Sequence, residues 1–189
     1  ARIGEGARID AGARIGEGAR IGAGAFIGKG AVIDKGAFID AGAFIDESAR
    51  IGEGARIDAG ARIGEGARIG AGAFIGKGAV IDKGAFIGEG ARIGAGARIG
   101  AGAFIGAGER SLSLLGLYWN VTIYNDNGKP TMKIGCRCHS IEEWGKFGDN
   151  EITKMDTEAL RFWSEYKPIL IPLAKAHCAA QAAVNGVQS

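Results

Sequence analysis

Residues 1–108 are eighteen consecutive hexapeptides without an insertion, each reading Ala, then Arg, Phe or Val, then Ile, then Gly or Asp, a variable residue, and Gly, with Ser48 the one departure at the last position. A unit this short cannot bury its own apolar face, so it must stack on its neighbours into a solenoid. Ala and Ile alternate with the residue between them. In a three-residue strand they share one face and point inward, while Arg, Phe or Val point outward. The Gly-rich triplet that follows supplies the small and φ-permissive positions of a tight corner.

The run Ile3-Gly4-Glu5-Gly6-Ala7-Arg8, repeated in every later unit, resembles the hexapeptide-repeat family. That resemblance implies a mainly β protein: a left-handed parallel β-helix of triangular section with three hexapeptides per turn, so that residues 1–108 make six turns of eighteen residues. With strands about 4.8 Å apart the prism is about 25 to 30 Å long. An 18-residue turn stacks Glu17, Lys35 and Glu53 at a corner, pairs Lys29 with Glu47 and Glu65 with Lys83, and leaves Glu47 over Glu65 as a like-charge exception. Exposed pairs of this kind contribute roughly 0.2 to 1 kcal/mol each. Residues 1–39 recur unchanged as 49–87, a shift of eight hexapeptides that carries the copy to a different side of the prism. The units are therefore interchangeable, as in a recently expanded or a consensus-built array. A start at Ala1 without Met fits a processed, trimmed or engineered beginning, and no signal peptide or membrane-spanning apolar run is expected.

Residues 109–189 are a different kind of sequence, read as an α+β cap domain. Leu117, Trp119, Val121 and Ile123 alternate with Tyr118, Asn120, Thr122 and Tyr124, which predicts a half-buried strand. Asn125-Asp126-Asn127-Gly128 turns the chain into a second strand carrying Met132, Ile134 and Cys136. Ser140 and Glu143 form a capping box that opens a helix to about Phe147. Asp156 caps a helix bearing Leu160, Phe162 and Trp163, and Pro168 starts a last helix, kinked at Pro172, that runs to about Val184 before the end frays. A hairpin and helices placed here close the open end of the solenoid, where strand edges and apolar side chains would otherwise face water. The first turn, with Ile3, Ile9 and Ile15, is expected to fray or to meet another chain end to end. The segment Ile134–Trp144 resembles the tail of phage- or prophage-associated hexapeptide-repeat proteins, which implies a phage-encoded context and no catalytic residue.

Charge excludes little. The array holds 14 basic and 12 acidic residues in a chain of net charge +2, without a one-signed block, so a nucleic-acid partner is not called for. The hexapeptide resemblance implies acyltransferases that use a His on or beside the solenoid, and metal-dependent carbonic anhydrases with several His ligands. Residues 1–108 contain no His, no Cys and no loop insertion. No enzymatic activity and no cofactor are therefore expected. Cys136, Cys138, His139, His177 and Cys178 are all of the chain's Cys and His, and they form the one cluster able to hold a metal or a disulfide. Their spacing is not that of a common zinc site, so no metal is assigned. Three Cys favour a reducing, cytoplasmic compartment.

Outward Phe and Val replace Arg at eight positions, and Phe26 lies over Phe44, and Phe86 over Phe104, at the 18-residue spacing. Paired aromatics on a surface mark contacts. The sequence thus predicts a non-catalytic scaffold that self-associates, as a trimer by resemblance, through these residues. The alternative is a module that holds a small anion such as a nucleotide between subunits against Arg50, Arg68 and the aromatics. An acyltransferase is the third reading.

Overall fold

The computed structural model describes residues 1–156 and 158–185. Three six-stranded parallel sheets form the sides of a six-turn solenoid. Their strands are the pairs Arg2–Ile3 (β1), Arg8–Ile9 (β2), Arg14–Ile15 (β3) and so on every six residues to Phe104–Ile105 (β18). β1 pairs with β4, β2 with β5 and β3 with β6, which sets Arg2 beside Arg20 and fixes the eighteen-residue turn. Each strand has two residues, one fewer than expected. The inner Ala spends its N–H on the corner, as when Ala7 donates to Gly4 O at 3.3 Å, and so leaves the ladder. Its carbonyl stays in the ladder, accepting from the backbone N–H of the outward residue in the preceding turn, as Ala19 O does from Arg2 N–H at 2.9 Å.

Ala19 to Ala103 and Ile21 to Ile105 fill the interior, almost all of them without exposure, whereas Ile3 in the first turn is 56% exposed. The corners carry their own ladder: Gly24 N–H donates to Glu5 O at 2.9 Å, Gly36 to Glu17 O at 2.9 Å and Gly54 to Lys35 O at 3.0 Å. This backbone ladder, and not side-chain charge, holds the corner register. The expected pairs among Glu17, Lys35, Glu53, Lys29, Glu47, Glu65 and Lys83 are not formed; the one ion pair among the described residues joins Lys133 to Asp82 at 3.2 Å. Long exposed side chains lose more freedom on pairing than water-screened attraction returns.

The last residue of each hexapeptide sits in the left-handed region, with φ of 62 to 75° at the glycines. Ser48 is held there too, at φ 57°, where a Cβ is crowded by the following carbonyl. Ser48→Gly is expected to stabilise the protein by about 0.5–1 kcal/mol, the relieved strain exceeding the added freedom of the unfolded chain. Denaturant midpoints check this, and an unchanged or lower midpoint contradicts it.

Beyond the array, Leu112–Leu114 (β19), Val121–Asp126 (β20), Lys129–Ile134 (β21) and Arg137–Ser140 (β22) form an antiparallel sheet in chain order. The hairpin expected from the alternation is β20–β21, but its turn is only Asn127-Gly128, both with positive φ, the geometry that matches strand twist in a two-residue loop. Cys136 lies in the next turn and not on a strand; β19 and β22 were not foreseen. The Ser140–Glu143 capping box is present at the start of Ile141–Lys146 (α1), with Glu143 N–H donating to Ser140 Oγ at 3.2 Å. A short helix, Asp149–Thr153 (α2), follows.

Ala159–Asn185 (α3) is one continuous helix through Pro168 and Pro172, where a fresh start and a kink were expected. The two prolines are four apart on the exposed face, so the carbonyls they leave unpaired face water. Leu170, Ala174 and Cys178, at the same four-residue step, are buried against the sheet and keep the helix docked. The fraying expected at the very end falls outside the described residues.

The cap meets the last strand of every side. On the side of β1, the ladder gains a rudimentary strand at Glu109–Ser111: Arg92 N–H donates to Glu109 O at 2.7 Å, and Ser111 N–H to Arg92 O at 3.0 Å. Its free edge is covered by Gln181 of α3, whose Oε1 accepts from Arg110 N–H and whose Nε2 donates to Arg110 O at 2.6 Å. On the side of β2, Arg98 N–H donates to Thr122 Oγ1 at 3.1 Å. On the side of β3, Phe104 N–H donates to Asp126 Oδ1 at 2.8 Å and Asn127 N–H to Phe104 O at 2.7 Å. Tyr124, fully buried, joins the Ala and Ile core as its plug.

Candidate functional site

Function on a solenoid must be carried by what projects from its sides and corners, since the interior is apolar. The side of β2 carries Arg8, Phe26, Phe44, Arg62, Val80 and Arg98 in vertical order. Its upper half, with the adjoining corner, forms a groove of about 580 Å³ lined by Phe44, Asp46, Arg62, Glu65, Asp82 and Lys83, among others. That volume is in the range of small-molecule sites. Three carboxylates and two cations thus share one concavity. The cap borders it through Lys133, which sits on β21 and reaches Asp82. In sequence, Glu65 and Lys83 read as a stacked exposed pair and Asp46 and Asp82 as corner residues, with nothing joining them to Arg62 in one groove. Their repeat positions, 36 residues apart for Asp46 and Asp82 and 18 for Glu65 and Lys83, hold the signal.

The six residues singled out in sequence divide between two sides. Phe26 and Phe44 stack on the side of β2, with ring centroids 4.5 Å apart and planes at 14°. On the side of β3, Arg50, Arg68, Phe86 and Phe104 form one unbroken column. Phe86 and Phe104 stack there at 4.8 Å and 6°. Phe44 and Phe104 are 41% and 42% exposed, whereas Phe26 and Phe86 are half-buried under their partners. The two sides meet at the corner that carries Glu65 and Lys83.

The Cys and His residues are not brought together. Cys138 and His139 leave β22 on opposite faces: Cys138 Sγ lies 3.3 Å from Tyr124 Oη on the array side, while His139 packs edge-on against Trp144 and Phe147. His177 on α3 sits 2.8 Å from Gln181 Nε2 and 3.1 Å from Arg110 O. Cys178, the next residue, is buried, which pushes its thiol up to about 11. Cys136 is exposed in its turn, and all three thiols are free. Among the described residues no three of His, Cys, Asp or Glu converge on a metal position. Neither imidazole lines the groove.

The sequence profile of the family described as bacterial transferase hexapeptide (six repeats) matches residues 1–35, 42–77 and 72–107, more than half of the chain. Among solved structures, the acetyltransferase domain of PglB from Neisseria gonorrhoeae, in complex with acetyl coenzyme A, is 26% identical over 53% of this chain and 51% of its own, with a TM-score of 0.39. PerB from Caulobacter crescentus, in complex with CoA and GDP-perosamine, is 26% identical over 58% and 54%, with a TM-score of 0.44. A hexapeptide transferase family protein from Anaplasma phagocytophilum is 18% identical over 90% and 92%, with a TM-score of 0.28. The chain spans about half the length of the first two. No curated protein sequence matches it. The transferase profile overturns the expectation of a non-catalytic scaffold and, with it, the expectation that the chain is not an enzyme. That expectation rested on the missing His of the array, and a missing imidazole removes one proton acceptor without removing the carboxylates gathered in the groove.

Proposed function

The chain belongs to the bacterial transferase hexapeptide family, and from that membership we propose that it is an acyltransferase that moves an acyl group from an acyl-coenzyme A to an amine or hydroxyl acceptor. The family profile, running over the array from its first turn to its last, is the observation that carries this reading. The donor is an adenine nucleotide with phosphates at one end. The column Arg50, Arg68, Phe86 and Phe104 offers two guanidiniums for phosphate and an exposed aromatic face for the base. The acceptor lies in the groove around Arg62. Its nucleophile attacks the thioester carbonyl while one of the carboxylates, Asp46, Glu65 or Asp82, takes its proton; the tetrahedral intermediate, with Arg62 and Lys83 facing its oxyanion, then expels the coenzyme thiolate, which receives that proton and leaves as the thiol. A trimer of parallel prisms fits this arrangement, because it sets one copy against the aromatic-bearing sides of another.

Steady-state release of free thiol from acetyl-coenzyme A tests the reading. Arg50→Ala and Arg68→Ala are each expected to raise the donor KM roughly tenfold, the size of one lost charge-assisted contact at a surface, with little change in kcat. An unchanged KM in both variants contradicts the donor site.

A further inference from the structure

Glu109 stands where the hexapeptide would place its next inward Ala, six residues after Ala103. It closes the array from inside: Glu109 is 9% exposed, and its Oε2 has no hydrogen-bond partner. The Asn125 side chain of β20 hydrogen-bonds the carboxyl, and Cys178 of α3 faces it. No cation reaches it, since the one ion pair among the described residues is Lys133–Asp82. Arg110, its chain neighbour, is exposed, and His177 is engaged with Gln181 and the Arg110 carbonyl. Tyr124 and Cys138 are engaged with each other on the cap side. A carboxyl has thus been put at the junction of array and cap without a charge to balance it, at a position where the array elsewhere uses Ala.

We propose that Glu109 is a proton-controlled latch between array and cap, closed when the carboxyl is protonated and loosened when it ionises. Burial raises the carboxyl above its ordinary value, and the Asn125 hydrogen bond only partly opposes this. The closed state binds the proton more tightly than the opened state, where the carboxyl has its ordinary value, so closure is favoured at low pH and weakens as pH rises through the raised value. The thiol of Cys178, pushed up to about 11, stays protonated across this range and does not share the effect.

Hydrogen exchange of the Thr122 and Tyr124 amides in the full chain, corrected for the intrinsic pH dependence of exchange, reads the latch. Protection is expected to fall as pH rises from 5 to 8. Glu109→Gln should keep the pH 5 protection at pH 8, and Glu109→Ala, which restores the array's own residue, should also remove the pH dependence. His177→Asn should leave the dependence in place. Equal protection at the two pH values in the wild type overturns the proposal. So does a pH dependence that survives in Glu109→Gln and Glu109→Ala, or one that disappears in His177→Asn.

Discussion

Truncation after Gly108 is expected to convert a particle of defined mass into fibres or precipitate. The cut uncovers Ile93, Ile99 and Ile105, the last Ile of each side, all without exposure in the intact chain. Each forfeits roughly 1.5–3 kcal/mol of burial. It also strips partners from the edge groups of Arg92, Arg98 and Phe104, now capped by Glu109 O, Thr122 Oγ1 and Asp126 Oδ1. Three unpaired parallel edges over an apolar triangle form a template for another chain's first turn, whose Ile3 is itself exposed. Light scattering and electron microscopy of the two forms decide the matter. A truncated array that stays monodisperse removes the capping role from residues 109–189.

The second large effect centres on one side chain. Tyr124 is fully buried in the core of the array although it belongs to the cap. Tyr124→Ala should open a cavity across the junction and lower stability by about 3–5 kcal/mol, as for other large aromatic truncations. Tyr124→Phe keeps the plug and gives up the hydroxyl's contacts with Cys138, 3.3 Å away, and with the Gly100 backbone, and is expected to lose about 1 kcal/mol. The ratio of the two separates packing from hydrogen bonding. If denaturant unfolding finds Tyr124→Ala within 1 kcal/mol of Tyr124→Phe, the plug contributes little.

The array was legible because its period is its structure. Inward Ala and Ile, the eighteen-residue turn and the stacking of Phe26 on Phe44 and Phe86 on Phe104 all follow from a six-residue repeat on three sides. The cap was legible only locally. The alternation from Leu117 to Tyr124 reads as a half-buried strand with Thr122 and Tyr124 on its wet face, and Asn125-Asp126 as turn; the strand instead runs Val121–Asp126, with Val121 through Asn125 all buried. The face that looked solvated closes the end of the solenoid, where Thr122 supplies an acceptor and Tyr124 a plug. A polar residue that caps a foreign strand has the same spacing as one that meets water. Pro168 and Pro172 misled for a related reason: a proline breaks a helix in isolation, but tertiary contacts through Leu170, Ala174 and Cys178 carry this one through.

The candidate site was half legible. Arg50, Arg68 and the stacked aromatics were visible because they repeat in register. The groove around Arg62 was not: it is lined from four layers of the array, Phe44 to Ala101, and bordered by Lys133 of the cap, a contact that no spacing within the repeat encodes. The absence of His from the array pointed away from catalysis, whereas the family profile points toward group transfer.

Release of free coenzyme thiol from acetyl-coenzyme A by the full chain, over a panel of amino-sugar, amino-acid and alcohol acceptors, reads acyl transfer directly. Acceptor-dependent thiol release that saturates in the donor, with a KM raised by Arg50→Ala and Arg68→Ala, is the predicted result. Thiol release no faster than the uncatalysed rate with every acceptor would contradict it.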